Sequence, residues 1–192
     1  MKGEIETNIQ KSVKNIEDLV LLSQKIQDTI DLIIKCITNG NKLIFFGNGG
    51  SAADAQHLAA EFINKFKIER ESIPAISLTT DSSVITSISN DYSFDCVFSR
   101  QCESLVSSGD LVFGISTSGN SKNVELGLKK SKENGAITIG LLGGSGGTIK
   151  QFTDISLIVN STDVARIQEA HRVITHIICE SVELEISRID HK

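Results

Sequence analysis

Between residues 5 and 37 the apolar side chains Ile9, Val13, Ile16, Val20, Ile26, Ile30, Ile33 and Ile37 recur mostly at gaps of three and four, the repeat that lines one face of a helix. This predicts one long N-terminal helix, stopped at Asn39-Gly40. An apolar run without alternation follows at 42–46, bounded by glycine, and reads as a strand buried on both faces. The same pattern returns at 75–78, 111–115, 136–142 and 155–159. Helical segments are expected between these runs at 51–66, 82–89, 95–106, 120–133 and 148–152, with a last long helix at 163–189. Buried strands alternating with helices argue for an α/β fold, a parallel sheet covered by helices on both faces, with its ligand crevice at the carboxyl ends of the strands. No repeat, low-complexity tract or linker divides the chain, so residues 1–192 are expected to form a single domain.

Composition narrows the class. With 192 residues, 40% hydrophobic and 22% charged, the chain can bury roughly 70% of its unfolded surface and needs neither a structural metal nor disulfides. Lys and Arg number 19 against 24 Asp and Glu, a net charge of −5 without long like-charged runs, which argues against a nucleic-acid partner. Cys36, Cys96, Cys102 and Cys179 form no C-x-x-C pair and read as reduced thiols. The first ten residues lack the basic start and apolar stretch of a signal peptide, and no segment approaches the roughly 18 apolar residues of a membrane span. A cytoplasmic protein with no membrane partner is the expectation.

Two loops carry candidate chemistry. The first strand runs into Gly47-Asn48-Gly49-Gly50-Ser51, where Ser51 and Asp54 fit the S-x-x-D capping box of a helix start. Such a turn either offers amides to an anion or sugar hydroxyl, or is a tight turn without ligand. Read as G-x-G-x-x-A it also resembles a dinucleotide fingerprint, but the acidic residue expected about 20 residues later is missing and Asp81 lies further on. The third strand ends in Gly114-Ile115-Ser116-Thr117-Ser118-Gly119-Asn120-Ser121. Four hydroxyls at one helix start suit a phosphate held as a handle, with no lysine in the place needed to transfer it. His57 and Glu61 lie one helical turn apart and can share a metal or a proton. On the last helix His171 falls inside the apolar stripe of Val164, Ile167, Ile174, Ile178 and Val182, which makes it a packed core histidine. His176 is expected to turn away from that stripe, toward solvent or another subunit. Gln168 and His176 are separated by a rise of about 12 Å, a long reach for one metal, so a site completed across a subunit interface is expected.

Taken together, Gly47-Asn48-Gly49-Gly50-Ser51, Asp54-Ala55-Gln56-His57, Glu61, Leu78-Thr79-Thr80-Asp81, Asn90-Asp91, the Ser116–Ser121 loop and Arg166-Ile167-Gln168-Glu169-Ala170-His171 resemble the phosphoheptose isomerase family of sugar-isomerase (SIS) domain proteins. The resemblance implies a five-stranded parallel sheet and a homotetramer with active sites between subunits. It also implies a phosphorylated sugar substrate, the ketose sedoheptulose 7-phosphate becoming an aldose through an enediol on the way to ADP-heptose and lipopolysaccharide. By the same resemblance Glu61 and His176 are the catalytic base and acid, and His57, Glu61, Gln168 and His176 match a zinc site. Asn48, Gly49, Gly50, Ser51, Glu61, Asn90, Asp91, Ser116, Thr117, Ser118, Ser121 and Gln168 match substrate-binding positions. A second resemblance, over residues 64–81, is to non-catalytic SIS proteins that bind the replication initiator. Their equivalents of Glu61 and His176 cannot do acid–base work, whereas both are present here.

Overall fold

The structure, a computed structural model, describes residues 1–190. Seven α-helices and five strands follow in the order α1 (Lys2–Glu17), α2 (Ser23–Thr38), β1 (Leu43–Gly47), α3 (Gly50–Ile63), β2 (Ala75–Ser77), α4 (Ser82–Asp91), α5 (Val97–Leu105), β3 (Leu111–Ser116), α6 (Lys122–Glu133), β4 (Ile137–Gly143), β5 (Ile155–Val159) and α7 (Val164–Asp190). All strand pairs are parallel and the sheet order is β2-β1-β3-β4-β5.

Alternation along the strands feeds two cores. Phe45, Leu111, Phe113, Ile115 and Leu141 face α2, α3 and α7, while Ile44, Phe46, Val112 and Leu142 face α5 and α6. Burying each of these large side chains stabilises the fold by roughly 1.5–3 kcal/mol. Gly114 in β3 leaves the space taken by Leu128 and Val124, so α6 packs close to the sheet.

The N-terminal helix differs from the single helix expected over 5–37. A 3-10 turn at Asp18–Leu22 splits it. Five residues at the tighter 3-10 winding rotate the helix face by about 100° relative to α-helical winding. Ile26, Ile30 and Ile33 of α2 are thereby buried, whereas Ile5, Ile9, Val13 and Ile16 of α1 stay exposed. The six-residue gap between Val20 and Ile26 is where the stripe changes phase. Helix α3 stops at Ile63 instead of Phe66, α5 is preceded by a 3-10 turn at Phe94–Cys96, α6 starts at Lys122 instead of Asn120, and Ile149–Phe152 is a 3-10 turn.

His171 sits in the core as its place in the stripe predicts, fully buried, with Nε2 3.2 Å from the Leu142 carbonyl. Burial pushes its pKa down from 6.5 to about 4, outweighing the upward pull of that carbonyl. Between those values the unfolded chain binds a proton that the folded chain does not. Stability is therefore expected to fall as pH drops from 6.5 toward 4, by about 3 kcal/mol from this group. Denaturant titrations from pH 4 to 7 check this: His171→Leu should show a flatter pH dependence by that amount.

Candidate active site

Chain order reverses between β1 and β3, since β1 leads outward to β2 and β3 leads the other way to β4. In an open parallel sheet such a reversal opens a crevice at the strand ends. The loop after β1 turns at Gly49, whose φ of +54° favours glycine, and passes into α3 with Ser51 N–H donating to the Asn48 carbonyl at 2.9 Å. Asn48 and Asn123, in the first turn of α6, exchange amide hydrogen bonds of 2.8 and 2.9 Å. This pair ties the glycine loop to the helix that follows the other loop. A cavity of about 130 Å³ opens beside it, lined by Asn48, Gly49, Ala52, Thr79 and Phe94 among others.

In the loop after β3, Ser116 Oγ lies 3.0 Å from Ser121 Oγ and 3.4 Å from Ser118 Oγ. Ser121 occupies the N-cap of α6 without a side-chain capping bond, so its hydroxyl is spent on the cluster and the helix end keeps its affinity for an anion. A second glycine loop supports this one from behind. Gly119 adopts φ +67° against the backbone of Gly146, Ile149 N–H donates to the Gly119 carbonyl, and Asn120 Oδ1 accepts from Thr148 N–H. Glu125 gathers Lys129, Lys122 and Thr148 at 2.7, 3.1 and 3.1 Å, and the Lys129 bond first among these holds its pKa below the usual value.

The titratable groups meet where α3 crosses α7. His57 Nε2 is 3.0 Å from His176 Nε2 and 3.3 Å from Glu61 Oε1. One turn toward the loops, Arg172 donates to Asp54 at 2.5 Å, and Phe66 closes the other side with its ring 5.5 Å from that of His176. Burial pushes the His176 pKa down, as do His57 and Arg172, so its imidazole is held neutral at neutral pH. Burial pushes Asp54 up despite its Arg172 partner.

A zinc ion in tetrahedral coordination holds two nitrogens about 3.3 Å apart, close to the separation of these two Nε2 atoms. Two imidazoles and a carboxylate are donor types that zinc takes, although among the described residues no group of three or more His, Cys, Asp or Glu side chains of this one chain is placed to hold a metal ion. Gln168 is not among them. Its amide lies against Gly50, in a separate cleft of about 650 Å³ shared with Ser12, Asp54 and Arg172.

Residues 7–143 match the SIS domain family. A phosphoheptose isomerase of Clostridium acetobutylicum is 48% identical over 189 residues, 97% of this chain and 96% of that protein. The phosphoheptose isomerase of Citrifermentans bemidjiense is 53% identical over 165 residues, 86% of each chain. The chain belongs to this family. The solved phosphoheptose isomerase from Neisseria gonorrhoeae superposes with a TM-score of 0.90 at 37% identity, covering 95% of this chain and 98% of that one. The enzyme from Francisella tularensis gives 0.91 at 33% identity, with 95% and 97% covered.

Within this SIS domain Asn48 and Gly49 stand beside Ser116, Thr117, Ser118 and Ser121 at the crevice, and His57, Glu61 and His176 meet one another. Two expectations are corrected. His176 does not turn outward: α7 is covered by α3 as well as by the sheet, so the edge of its apolar stripe is also packed. The Ser51–Asp54 capping box does not form, because Gly49 takes the N-cap and Arg172 takes the Asp54 carboxylate. Asn90 and Asp91 bond to each other at the exposed end of α4, and Asp91 lines a groove of about 580 Å³ with Tyr92 and Arg100. Asp81, which lies too far along to serve a dinucleotide fingerprint, caps α4 by accepting from Val84 N–H at 3.0 Å. Asn123, Glu125 and Arg172 were not anticipated. An asparagine in the first turn of a helix was the available sign for Asn123, but its partner Asn48 is 75 residues away.

Asn123→Ala leaves the Asn48 amide without its partner and is expected to cost about 1–3 kcal/mol in chemical denaturation. Unchanged stability would mean that the pair does not hold the loops together.

Proposed function

We propose that this chain is a phosphoheptose isomerase, converting sedoheptulose 7-phosphate to D-glycero-D-manno-heptose 7-phosphate in the cytoplasm, toward ADP-heptose and surface polysaccharide. The observation that carries this reading is the Glu61–His57–His176 cluster, set one helix away from a hydroxyl-rich anion loop. Ser116, Ser118, Ser121 and the uncapped N–H groups of α6 bind the phosphate and leave the other end of the sugar free for chemistry. Glu61 takes a proton from C1 while the C2 carbonyl oxygen gains one from His176, giving the enediol. The O1 proton then passes to His176, restoring it, and Glu61 returns its proton to C2, completing the aldose. His176 gives one proton to O2 and regains one from O1, so its imidazole ends the cycle in the protonation state in which it began. The residues that would hold zinc are His57, Glu61 and His176, and the chemistry supplied there is polarisation of the sugar carbonyl. Gln168 lies about 12 Å along α7 from His176 and would join such a site most readily from a neighbouring copy.

A homotetramer is part of this proposal. Ile5, Ile9, Val13 and Ile16 form an exposed apolar stripe on α1, continued by Val20 and Leu21, and a second copy of the chain would cover it. The initiator-binding alternative has no use for a carboxylate and two imidazoles placed within hydrogen-bond range.

Incubating the zinc-loaded oligomer with sedoheptulose 7-phosphate in heavy water should give the aldose with deuterium at C2, read by NMR. Glu61→Gln should lower the rate by about 100- to 10,000-fold. Neither product nor exchange from folded wild type would end the isomerase reading. Ile9→Glu combined with Val13→Glu should yield smaller particles by light scattering together with loss of activity. A fully active monomer would count against a shared site.

A further inference from the structure

The segment that links α3 to β2 is held by a pair of buried charges outside the acid–base cluster. Arg70 and Glu183 have side chains that are each only 2% exposed. Glu183 projects from α7, two turns beyond His176, and its carboxylate accepts three successive backbone N–H groups, from Phe66 at 2.9 Å, Lys67 at 2.6 Å and Ile68 at 2.9 Å. Arg70 Nε lies 3.2 Å from the same carboxylate, at an angle that makes the contact an ion pair without a hydrogen bond. The guanidinium spends its other donors on the carbonyls of Glu61 at 2.8 Å and Phe62 at 2.9 Å, and on that of Glu71.

Those two carbonyls belong to the last turn of α3, where no helical N–H remains to satisfy them. Arg70 therefore caps the turn that carries Glu61, and Glu183 fixes the loop whose Phe66 ring flanks His176. The guanidinium and the carboxylate neutralise each other where water cannot. A generic stabilising pair could tether any two elements; this one is attached to the backbone of Glu61 itself and to the helix of His176.

We infer that Arg70 and Glu183 are positioning residues for the isomerisation, setting the Glu61 carboxylate against the His57–His176 pair by clamping the end of α3 to α7. The inference rests on the isomerase reading for its kinetic consequence but not for its structural one. None of the clamp's hydrogen bonds or ion pairs reaches the phosphate loop between β3 and α6, so the clamp should act on turnover far more than on substrate affinity.

The test uses the full-length protein with Glu183→Gln, Arg70→Ala and Arg70→Lys, and with Glu180→Gln, which alters only a surface partner of Lys67, as the control. Thermal unfolding establishes the folded fraction at the assay temperature. Per folded protein, kcat should fall about 10- to 100-fold in Glu183→Gln and Arg70→Ala, with KM within about threefold of wild type and partial recovery in Arg70→Lys. Glu180→Gln should match wild type. In ring-labelled histidine NMR the His57 and His176 signals should move while that of buried His171 stays in place. Unchanged kcat, a loss explained by the unfolded fraction, a rise in KM of the same size as the fall in kcat, or unmoved His57 and His176 signals would each overturn the inference. If wild type shows no isomerisation, the functional reading fails, and the histidine spectra alone decide whether the clamp sets the cluster.

Discussion

β1 and β3 pair in parallel with Phe45 opposite Phe113 and Gly47 opposite Ile115, so the loops that follow them leave the sheet side by side. Close approach at that point depends on glycine. A Cβ on Gly47 would stand 2.8 Å from Ser51 Cβ and 2.9 Å from the Ile115 carbonyl, forcing α3 away from the strand it follows. With the glycine present, the start of α3 lies near enough to α6 for Asn48 and Asn123 to exchange both amide bonds. The anion loop and the helix carrying His57 and Glu61 are thus fixed to one another by the sheet before any ligand arrives, which is the preorganisation that transition-state stabilisation requires.

The second constraint is the contact between α3 and α7. Asp54, His57 and Glu61 are spaced by three and four along α3, and Arg172 and His176 by four along α7, so both sets line facing ridges. Arg172 joins Asp54, His176 joins His57, and further along the Arg70–Glu183 clamp holds the backbone at Glu61. Each contact pairs groups that would be costly to bury alone. Burial raises the Glu183 pKa, but three backbone N–H donors and Arg70 outweigh it and hold the carboxyl below its ordinary value. The clamp is therefore charged at neutral pH and weakens only as pH falls through that lowered pKa.

Strands and long helices were legible because burial on both faces leaves unbroken apolar runs and burial on one face leaves a 3.6-residue stripe; β5 falls at the predicted 155–159. The two loops were legible because glycine and hydroxyl residues have few other reasons to cluster at a helix start. What escaped was set by partners distant in sequence. Helix α3 stops three residues early because Glu183, more than 110 positions away, takes the N–H groups of residues 66–68, and no local signal marks that end. The pairing of His57 with His176 was hidden from periodicity and came only through the family resemblance, which put both in one zinc site. Periodicity told which face of α7 meets the sheet, but not that α3 lies against the edge of that face.

Gln168 connects the internal site to the outer surface. Its cleft is shared with Ser12 and Ile16, so the apolar stripe of α1 borders it directly. Asn15 donates to the Arg166 carbonyl at 2.7 Å, which holds α1 to the start of α7 and fixes that border. A second chain that buried Ile9, Val13 and Ile16 would also close over Gln168 and exclude water from the Asp54–Arg172 pair. Stronger electrostatics inside the covered cleft would follow from the lower local dielectric. In that arrangement assembly and site electrostatics would be two consequences of one exposed helix face, and a helix with no buried residue of its own would gain a reason to carry an apolar stripe.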